Sequence, residues 1–195
     1  MFQTKSRQPE GVSRAAIRSP SAPGAAKRAA AQASGLDVRV GHVHLRVADL
    51  ARATAFYRDV LGFTVTVDGP AIGLQAVFLA AGDYHHHIAL NTWLSAGGAP
   101  APAGYTGLHH FALLYPDRPA LARAMQRLVE HDYPLDGAAD HGGTVSVYLR
   151  DPDGNGIELY YDRPREQWFD ASGRPIVRND PFDPRHLLLP EADDA

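Results

Sequence analysis

The alternation of apolar and polar residues over residues 40–47 predicts a β-strand, because successive side chains of a strand point to opposite faces. Apolar residues then recur three and four positions apart over residues 50–61, which predicts a helix that Asp49 caps at its start. Three strand-like runs follow, before a long segment rich in glycine and proline: 63–67, 74–80 and 85–92. This first unit therefore has the element order βαβββ.

The same order of elements repeats 68 residues later. His42 aligns with His110 at the start of the two units, and a second helical pattern covers residues 119–131. Strand-like runs again follow the helix: 133–135, 145–150 and 156–162. Because neither unit could bury its sheet alone, two in tandem are expected to share a core. We predict an α+β fold in which tandem βαβββ modules form an open, cup-shaped mixed sheet with helices outside.

The predicted domain covers residues 37–168 and has a tail on either side. It divides into module one, a connector and module two: 37–94, 95–107 and 108–162. Residues 1–36 hold six basic residues, one acidic residue and few large apolar ones, which favours a disordered tail. An organelle transit peptide is the alternative, since such segments are basic and rich in serine. In the C-terminal tail, residues 169–195, three consecutive leucines suggest packing on the body or on a second subunit.

Charge and composition exclude several classes of function. The net charge of −3 includes the basic N-terminal tail, so the remaining body is net acidic, which argues against nucleic-acid binding. The absence of cysteine excludes disulfide scaffolds, thiolate metal sites and cysteine nucleophiles, and it suits a reducing, cytoplasmic location. No apolar run reaches the length of a transmembrane helix, so we expect no membrane partner. A homo-oligomer is compatible with the pattern.

Histidines are concentrated in two short apolar runs. Five of the ten lie in residues 84–90 and 108–113, and His42 and His110 occupy equivalent positions in the repeat. Histidine is the commonest metal ligand and titrates nearest neutral pH. The repeat therefore predicts that the first strands of the two modules contribute to a metal site.

A carboxylate on the last strand of module two extends this hypothesis. Glu158 alternates with apolar neighbours, and a strand carboxylate is costly to bury unless it is paired or bound to a metal. Two histidines and one carboxylate form the donor set of non-haem Fe(II) oxygenases, although zinc, manganese or nickel could use the same donors. Tyr148 and Glu158 are equidistant from Asp153 at the tight turn, which predicts that they are cross-strand neighbours.

Three stretches resemble the motifs of the vicinal-oxygen-chelate superfamily (glyoxalases, bleomycin-resistance proteins and extradiol dioxygenases). They are Gly41–Val47, Phe56–Phe63 and Asp151–Leu159. Within that superfamily the chain is most similar to extradiol ring-cleavage dioxygenases of the catechol type. The resemblance implies a dioxygenase of aromatic catabolism that cleaves a catechol-like substrate with O₂. It implies Fe(II) as the metal, with Mn(II) or another divalent ion as the alternative.

The resemblance also implies a role for each residue that matches a motif. His42, His110 and Glu158 match the metal ligands. His86 matches the acid/base histidine, and Tyr148 and His141 match residues that orient the substrate and intermediates: the implied catalytic set is His86, Tyr148 and His141.

The remaining histidines of the two runs are not assigned a chemical role. From strand alternation, we expect His85 and His87 to be structural or exposed, and His109 to point away from His110. His44 shares the face of His42 and is expected either to line the cavity or to contact the metal ligands without binding the metal itself.

Two other functions are compatible with the same fold. A glyoxalase-like isomerase or lyase would carry a fourth protein ligand on the last strand of module one. The 68-residue offset maps Glu158 onto Leu90 there, which cannot ligate, although His86 has the same parity as Leu90 and could take part. A non-enzymatic small-molecule binder is the third possibility, and the presence of both histidines and the glutamate argues against it.

Overall fold

The computed structural model describes residues 38–190, so the predictions for residues 1–36 and for the last five residues lie outside the described part. Module one contains four strands, which we label β1 to β4: Val43–Arg46, Thr64–Asp68, Ala76–Ala80 and Ile88–Asn91. Helix α1, Leu50–Ala55, follows β1 and continues as a π-helical turn, Phe56–Val60. The Asp49 side chain accepts a hydrogen bond from the Arg52 amide and caps α1, as predicted.

Module two repeats this arrangement and adds a short strand. Its strands are β5 to β9: Phe111–Tyr115, Gly137–Asp140, Thr144–Arg150, Gly156–Asp162 and Asp180–Pro181. Helix α2, Arg118–Glu130, follows β5. Three short 3₁₀ turns complete the secondary structure of the described chain: Pro70–Ile72, Arg165–Gln167 and Pro184–Leu188. The predicted α+β fold of tandem βαβββ modules is confirmed.

The hydrogen-bonded strands form one mixed sheet in each module. The strand orders are β1-β4-β3-β2 and β5-β8-β7-β6-β9, with β1 parallel to β4 and β5 parallel to β8. All other strand pairs are antiparallel. The first strand of each module is therefore an edge strand, with one side of its backbone unpaired within residues 38–190.

The two modules share one apolar core, as the repeat predicts. The ring of Phe56 packs on that of Tyr133, with centroids 4.8 Å apart. The Arg127 guanidinium of α2 donates hydrogen bonds to the carbonyl oxygens of Val60 and Leu61, at 3.2 and 3.0 Å. These contacts hold the end of the first helical segment against α2, so the relative orientation of the modules is fixed by buried packing.

The strand predicted over residues 133–135 is wrong, since the second strand of the module lies at Gly137–Asp140. Tyr133 is held in a loop, because its ring packs on module one and its hydroxyl donates to the Arg150 carbonyl at 2.8 Å. Gly137–Asp140 has low intrinsic strand propensity, but it pairs with β7 on one side and β9 on the other. Pairing with the neighbouring strands therefore makes Gly137–Asp140 a strand despite its low intrinsic propensity.

The C-terminal tail packs on the body of its own chain. Leu187 is fully buried, and the Arg118 guanidinium donates to the carbonyl oxygens of His186 and Leu189 at 2.6 and 3.0 Å. The tail thus covers the side of α2. Within residues 38–190, none of the helices has the length and apolar character needed to cross a bilayer.

Candidate active site

The turn between β7 and β8 is organised by one buried carboxylate. Asp151, only 4% exposed, accepts hydrogen bonds from the amides of Asp153 and Asn155 at 2.9 and 2.8 Å. Its second oxygen accepts from the Asn155 side chain at 2.8 Å and from the Tyr57 hydroxyl of module one at 2.9 Å. The turn is therefore fixed from within, and it is also tied to the helical segment of module one.

Gly156 allows the starts of β5 and β8 to come together. A Cβ at this position would overlap the carbonyl oxygen of His109 and lie 3.1 Å from the Cβ of His110. The close approach brings His110 beside Glu158, with 2.9 Å between Nε2 and Oε2. The Glu158 side chain is 14% exposed and that of His110 is 31% exposed, so the pair borders solvent.

Tyr148 is paired with Glu158 across the β7–β8 ladder, which confirms the cross-strand position predicted from the turn. Its hydroxyl lies 3.2 Å from Glu158 Oε1. Burial, followed by the negative charge of Glu158, raises the pKa of Tyr148. The phenol therefore keeps its proton at neutral pH and can donate it to a neighbouring oxygen or nitrogen.

His141 extends this chain of polar groups. Its Nε2 lies 2.6 Å from the Tyr148 hydroxyl, and its Nδ1 lies 2.8 Å from the carbonyl oxygen of Arg178. A carbonyl only accepts, so Nδ1 carries a proton. The single phenolic proton can serve His141 Nε2 or Glu158 Oε1, but not both at once. If the Tyr148 hydroxyl donates to Glu158, His141 must carry a second proton, on Nε2. The side chains of His141, Tyr148 and Glu158 thus form a path along which one proton can move.

Arg178 is a residue of this site that sequence analysis missed. Its carbonyl is brought to His141 by the part of the tail that precedes β9, and its amide lies 3.4 Å from the His141 carbonyl. The only sequence signal was the apolar content of the tail, which indicated packing without indicating where. A backbone carbonyl carries no side-chain signature, so this contact could not be predicted from residue types.

The histidines of module one form a second group. The rings of His42 and His86 lie 4.5 Å apart, and Phe78 packs on His86 at 5.1 Å. His44 Nε2 lies 2.9 Å from Asn91 Nδ2 on the same face of the sheet. Burial, followed by the electrostatic effect of the neighbouring His42 ring, lowers the pKa of His86. His86 is thus predominantly neutral at pH 7 and has a nitrogen that can accept a proton.

The predicted site residues fall into these two groups. His110, Glu158, Tyr148 and His141 lie together in module two, whereas His42 and His86 lie together in module one. Between Val38 and Pro190, no group of three or more histidine, aspartate or glutamate side chains is close enough to hold a metal ion. The imidazole and carboxylate of module two fit a divalent metal by donor type. The assignment of all three ligands to one ion stays a prediction.

One prediction from strand alternation is wrong. His109 does not point away from His110, because their Nδ1 atoms lie 2.9 Å apart. His85 is exposed, as expected, and its Nδ1 lies 2.7 Å from that of His86. These residues precede the hydrogen-bonded strands, where alternation does not apply. His87 also lies before β4, and its Nδ1 accepts a hydrogen bond from the Ala81 amide at 3.2 Å, which fits the structural role expected of it.

The position in module one that is equivalent to Glu158 is Ala89, not Leu90. Ala89 is paired with His44 in β1, as Glu158 is paired with Ala112 in β5. The offset is therefore one residue longer at the last strand than at the first. Alanine cannot ligate either, so the conclusion that β4 supplies no fourth ligand is unchanged.

The fold and the site together define a class of α+β proteins in which paired βαβββ modules present histidine and carboxylate side chains at their first and last strands. Residues 39–159 match the family described as the Glyoxalase/Bleomycin resistance protein/Dioxygenase superfamily, and the chain belongs to this superfamily. The membership predicted from the three motifs is confirmed.

Similar proteins include dioxygenases. The chain is 38% identical over 159 residues to catechol-2,3-dioxygenase of Bacillus subtilis (strain 168), covering 81% of this chain and 54% of that protein. It is 35% identical over 125 residues to biphenyl-2,3-diol 1,2-dioxygenase 3 of Rhodococcus globerulus, covering 64% and 63%. The chain thus spans roughly half to two-thirds of these relatives. A glyoxalase/dioxygenase from Nostoc punctiforme shares the fold, with a TM-score of 0.53 at 20% identity over 76% of this chain and 100% of that one.

Proposed function

We propose that this chain is a metal-dependent extradiol-type ring-cleavage dioxygenase that acts on a catechol-like aromatic and O₂. The observation that carries the proposal is the contact of His110 with Glu158, backed by Tyr148 and His141. Its 38% identity to a catechol-2,3-dioxygenase supports this reaction class.

His42, His110 and Glu158 are the residues that would hold the metal, with Fe(II) as the first choice and Mn(II) or another divalent ion as the alternative. Bound through three protein donors, Fe(II) would offer adjacent open positions to the catechol oxygens and to O₂. The donor set fits this role, since neutral imidazole nitrogen and carboxylate oxygen both suit a divalent ion of this kind.

The side chains around the ligands would control protons. His86, with its lowered pKa, would take a proton from the substrate hydroxyl as the substrate binds. Tyr148 keeps its proton and would donate a hydrogen bond to a substrate oxygen, while His141 supplies or receives the next proton along the same path. The Arg178 carbonyl keeps the His141 ring in the orientation that this path requires.

A glyoxalase-like isomerase or lyase receives less support from the geometry. The position that would supply its fourth ligand is Ala89, which has no donor atom. A non-enzymatic binder would not need the contact between His110 and Glu158.

The test is to load the protein with Fe(II) under argon, measure the bound metal, and then add O₂ with a panel of catechols. Ring cleavage would be followed by oxygen uptake and by the absorbance of a yellow product. We expect Glu158→Gln to lose metal binding and activity, while Glu130→Gln, the same change at an exposed helix end, keeps both. Tyr148→Phe should keep the metal and lose about 10²-fold or more in kcat. Metal-loaded protein that cleaves no catechol would refute the reaction class.

A further inference from the structure

The histidines of module one begin a continuous row of aromatic rings. The centroid of the His86 ring lies 4.5 Å from that of His42 and 5.1 Å from that of Phe78. Phe78 lies 6.3 Å from His44, whose ring lies 5.5 Å from that of Trp93. The row therefore leads from the proposed metal ligand His42 along one face of the module-one sheet to the exposed ring of Trp93.

Arg46 lies at the far end of this row. The buried Asn91 side chain holds that end together, because its Nδ2 lies 2.9 Å from His44 Nε2 and its Oδ1 accepts a hydrogen bond from the Trp93 amide at 3.3 Å. Arg46 is the partner of Asn91 across β1 and β4. Side chains two residues apart in a strand share a face, so Arg46 lies on the face of His44, with its Cα about 13 Å from that of His42.

The Arg46 guanidinium is a cation without a counter-charge. From residue 38 onward every permanently positive side chain is an arginine, since lysine occurs only at positions 5 and 27. Most of these arginines bind a carboxylate or a backbone carbonyl, as Arg52 binds Asp153 and Arg127 binds the Leu61 carbonyl. Among residues 38–190, Arg46 has neither kind of partner, and it is exposed. It can therefore bind an anion that comes from outside the chain.

A cavity of about 500 Å³ lies beside Arg46, which is a volume typical of small-molecule sites. The exposed side chains of Leu94 and Leu108 supply apolar lining. Asp153 also borders the cavity, but its side chain is only 9% exposed and its Oδ1 is paired with the Arg52 guanidinium at 2.7 Å. The negative charge of Asp153 is thus already neutralised, which leaves the positive charge of Arg46 to attract a ligand.

We propose that Arg46 selects a catechol that carries an acidic side arm, and that it binds the carboxylate of that arm. The inference rests on the proposed function, because binding of the catechol oxygens beside His42 sets where the arm begins. The substrate ring would lie against His86 and Phe78, and the arm would pass His44 to reach the guanidinium. The planar guanidinium can donate two parallel hydrogen bonds to a carboxylate, which an uncharged arm cannot match.

The test compares two catechols that differ only in the charge of the arm: one with a propanoate arm, and its primary amide. Each is given to the Fe(II)-loaded protein with O₂, and kcat/KM is measured by oxygen uptake. Wild type should prefer the acid by about 10- to 100-fold, the contribution of a hydrogen bond between charged groups. Arg46→Gln should remove this preference by raising KM for the acid, with kcat for the acid and both constants for the amide unchanged.

Two further variants and one change of conditions serve as controls. Arg123→Gln removes the same charge from an exposed position of α2 and should keep the preference for the acid. Arg46→Lys keeps the charge without the planar fork and should keep only part of the preference. Raising the ionic strength from about 0.01 to 1 M should weaken the preference in wild type, because an exposed charge is screened by salt.

Binding without turnover separates this proposal from the proposed function. Dissociation constants of the same acid and amide are measured under argon by calorimetry, for wild type, Arg46→Gln and Arg123→Gln. Tighter binding of the acid that depends on Arg46, in protein that cleaves neither compound, would support the anion site and remove only the reaction class.

Three results would overturn the proposal. Wild type that binds and cleaves the acid and the amide equally well would do so and would leave the proposed function standing. A preference for the acid that Arg46→Gln retains, or that Arg123→Gln loses to the same extent, would show that Arg46 does not select the arm. Protein that neither binds nor cleaves the two compounds would overturn this proposal and the proposed function together.

Discussion

The hydrogen bond from Tyr57 to Asp151 ties the two modules together at a fully buried position, so its removal tests the account of the core. Tyr57 is 0% exposed and Asp151 is 4% exposed, and the hydroxyl lies 2.9 Å from Oδ2. Tyr57→Phe removes only the hydroxyl and leaves the packed ring in place. The substitution thus isolates one charge-assisted bond between helix and turn.

The expected loss follows from what remains around the carboxylate. A hydrogen bond to a charged group contributes about 1.5–3 kcal/mol to stability. Asp151 keeps its bonds to the amides of Asp153 and Asn155 and to the Asn155 side chain, so its charge is not left unpaired. At about 2–4 °C per kcal/mol for a chain of this size, Tm should fall by about 3–12 °C.

Urea unfolding at one fixed protein concentration measures the free energy of unfolding, and Tyr133→Phe is the matched control. The Tyr133 hydroxyl donates to the Arg150 carbonyl at an exposed position, so the same atomic change there should cost only about 0.5–1 kcal/mol. Equal losses for the two variants, or no loss for Tyr57→Phe, would refute the argument that burial and charge strengthen the bond.

Two further predictions concern pH and backbone packing. Burial and Asp151 raise the pKa of Tyr57 well above 10, so above pH 10 the unfolded phenol ionises while the folded one stays protonated. The contribution of Tyr57 to the free energy of unfolding is fully present below pH 10 and is lost as the pH rises above it. The urea midpoints of wild type and Tyr57→Phe should therefore converge at high pH. A constant difference between the two midpoints from pH 8 to 11 would refute this. Gly156→Ala should cost about 1–3 kcal/mol and weaken Fe(II) binding by separating His110 from Glu158, whereas Gly137→Ala, with open space around its Cβ, should change Fe(II) affinity little.

The sequence predicts best those parts of the fold in which local pattern and tertiary packing agree. Strand β8 was predicted with its observed bounds, and β7 to within one residue, because both alternate strongly and flank a short turn. That turn also fixes the register, so Tyr148 and Glu158 could be paired by counting from Asp153. By contrast, β6 has few strand-favouring residues and exists because β7 and β9 pair with it.

Side-chain direction was harder to predict where histidines precede a strand. Alternation holds once the ladder begins at Ile88 or Phe111, but His86 and His109 lie in the irregular segments before those positions. His86 has the parity of Leu90, which is buried in the core, yet its ring contacts His42 and Phe78 on the other face. Strand alternation therefore predicts side-chain direction within the hydrogen-bonded ladder, but not for residues that precede its first residue.

The arrangement of the two modules depends on residues that have no role as ligands. The repeat shows that there are two modules and that His42 and His110 are equivalent, but pattern alone does not say whether their strands meet within one chain. The turn motif decides this, because Asp153 holds the Ala48 end of β1 while the neighbouring Asp151 fixes the turn that leads to β8. The same motif that places Glu158 therefore leaves His42 beside an edge strand, since β1 pairs only with β4 within residues 38–190.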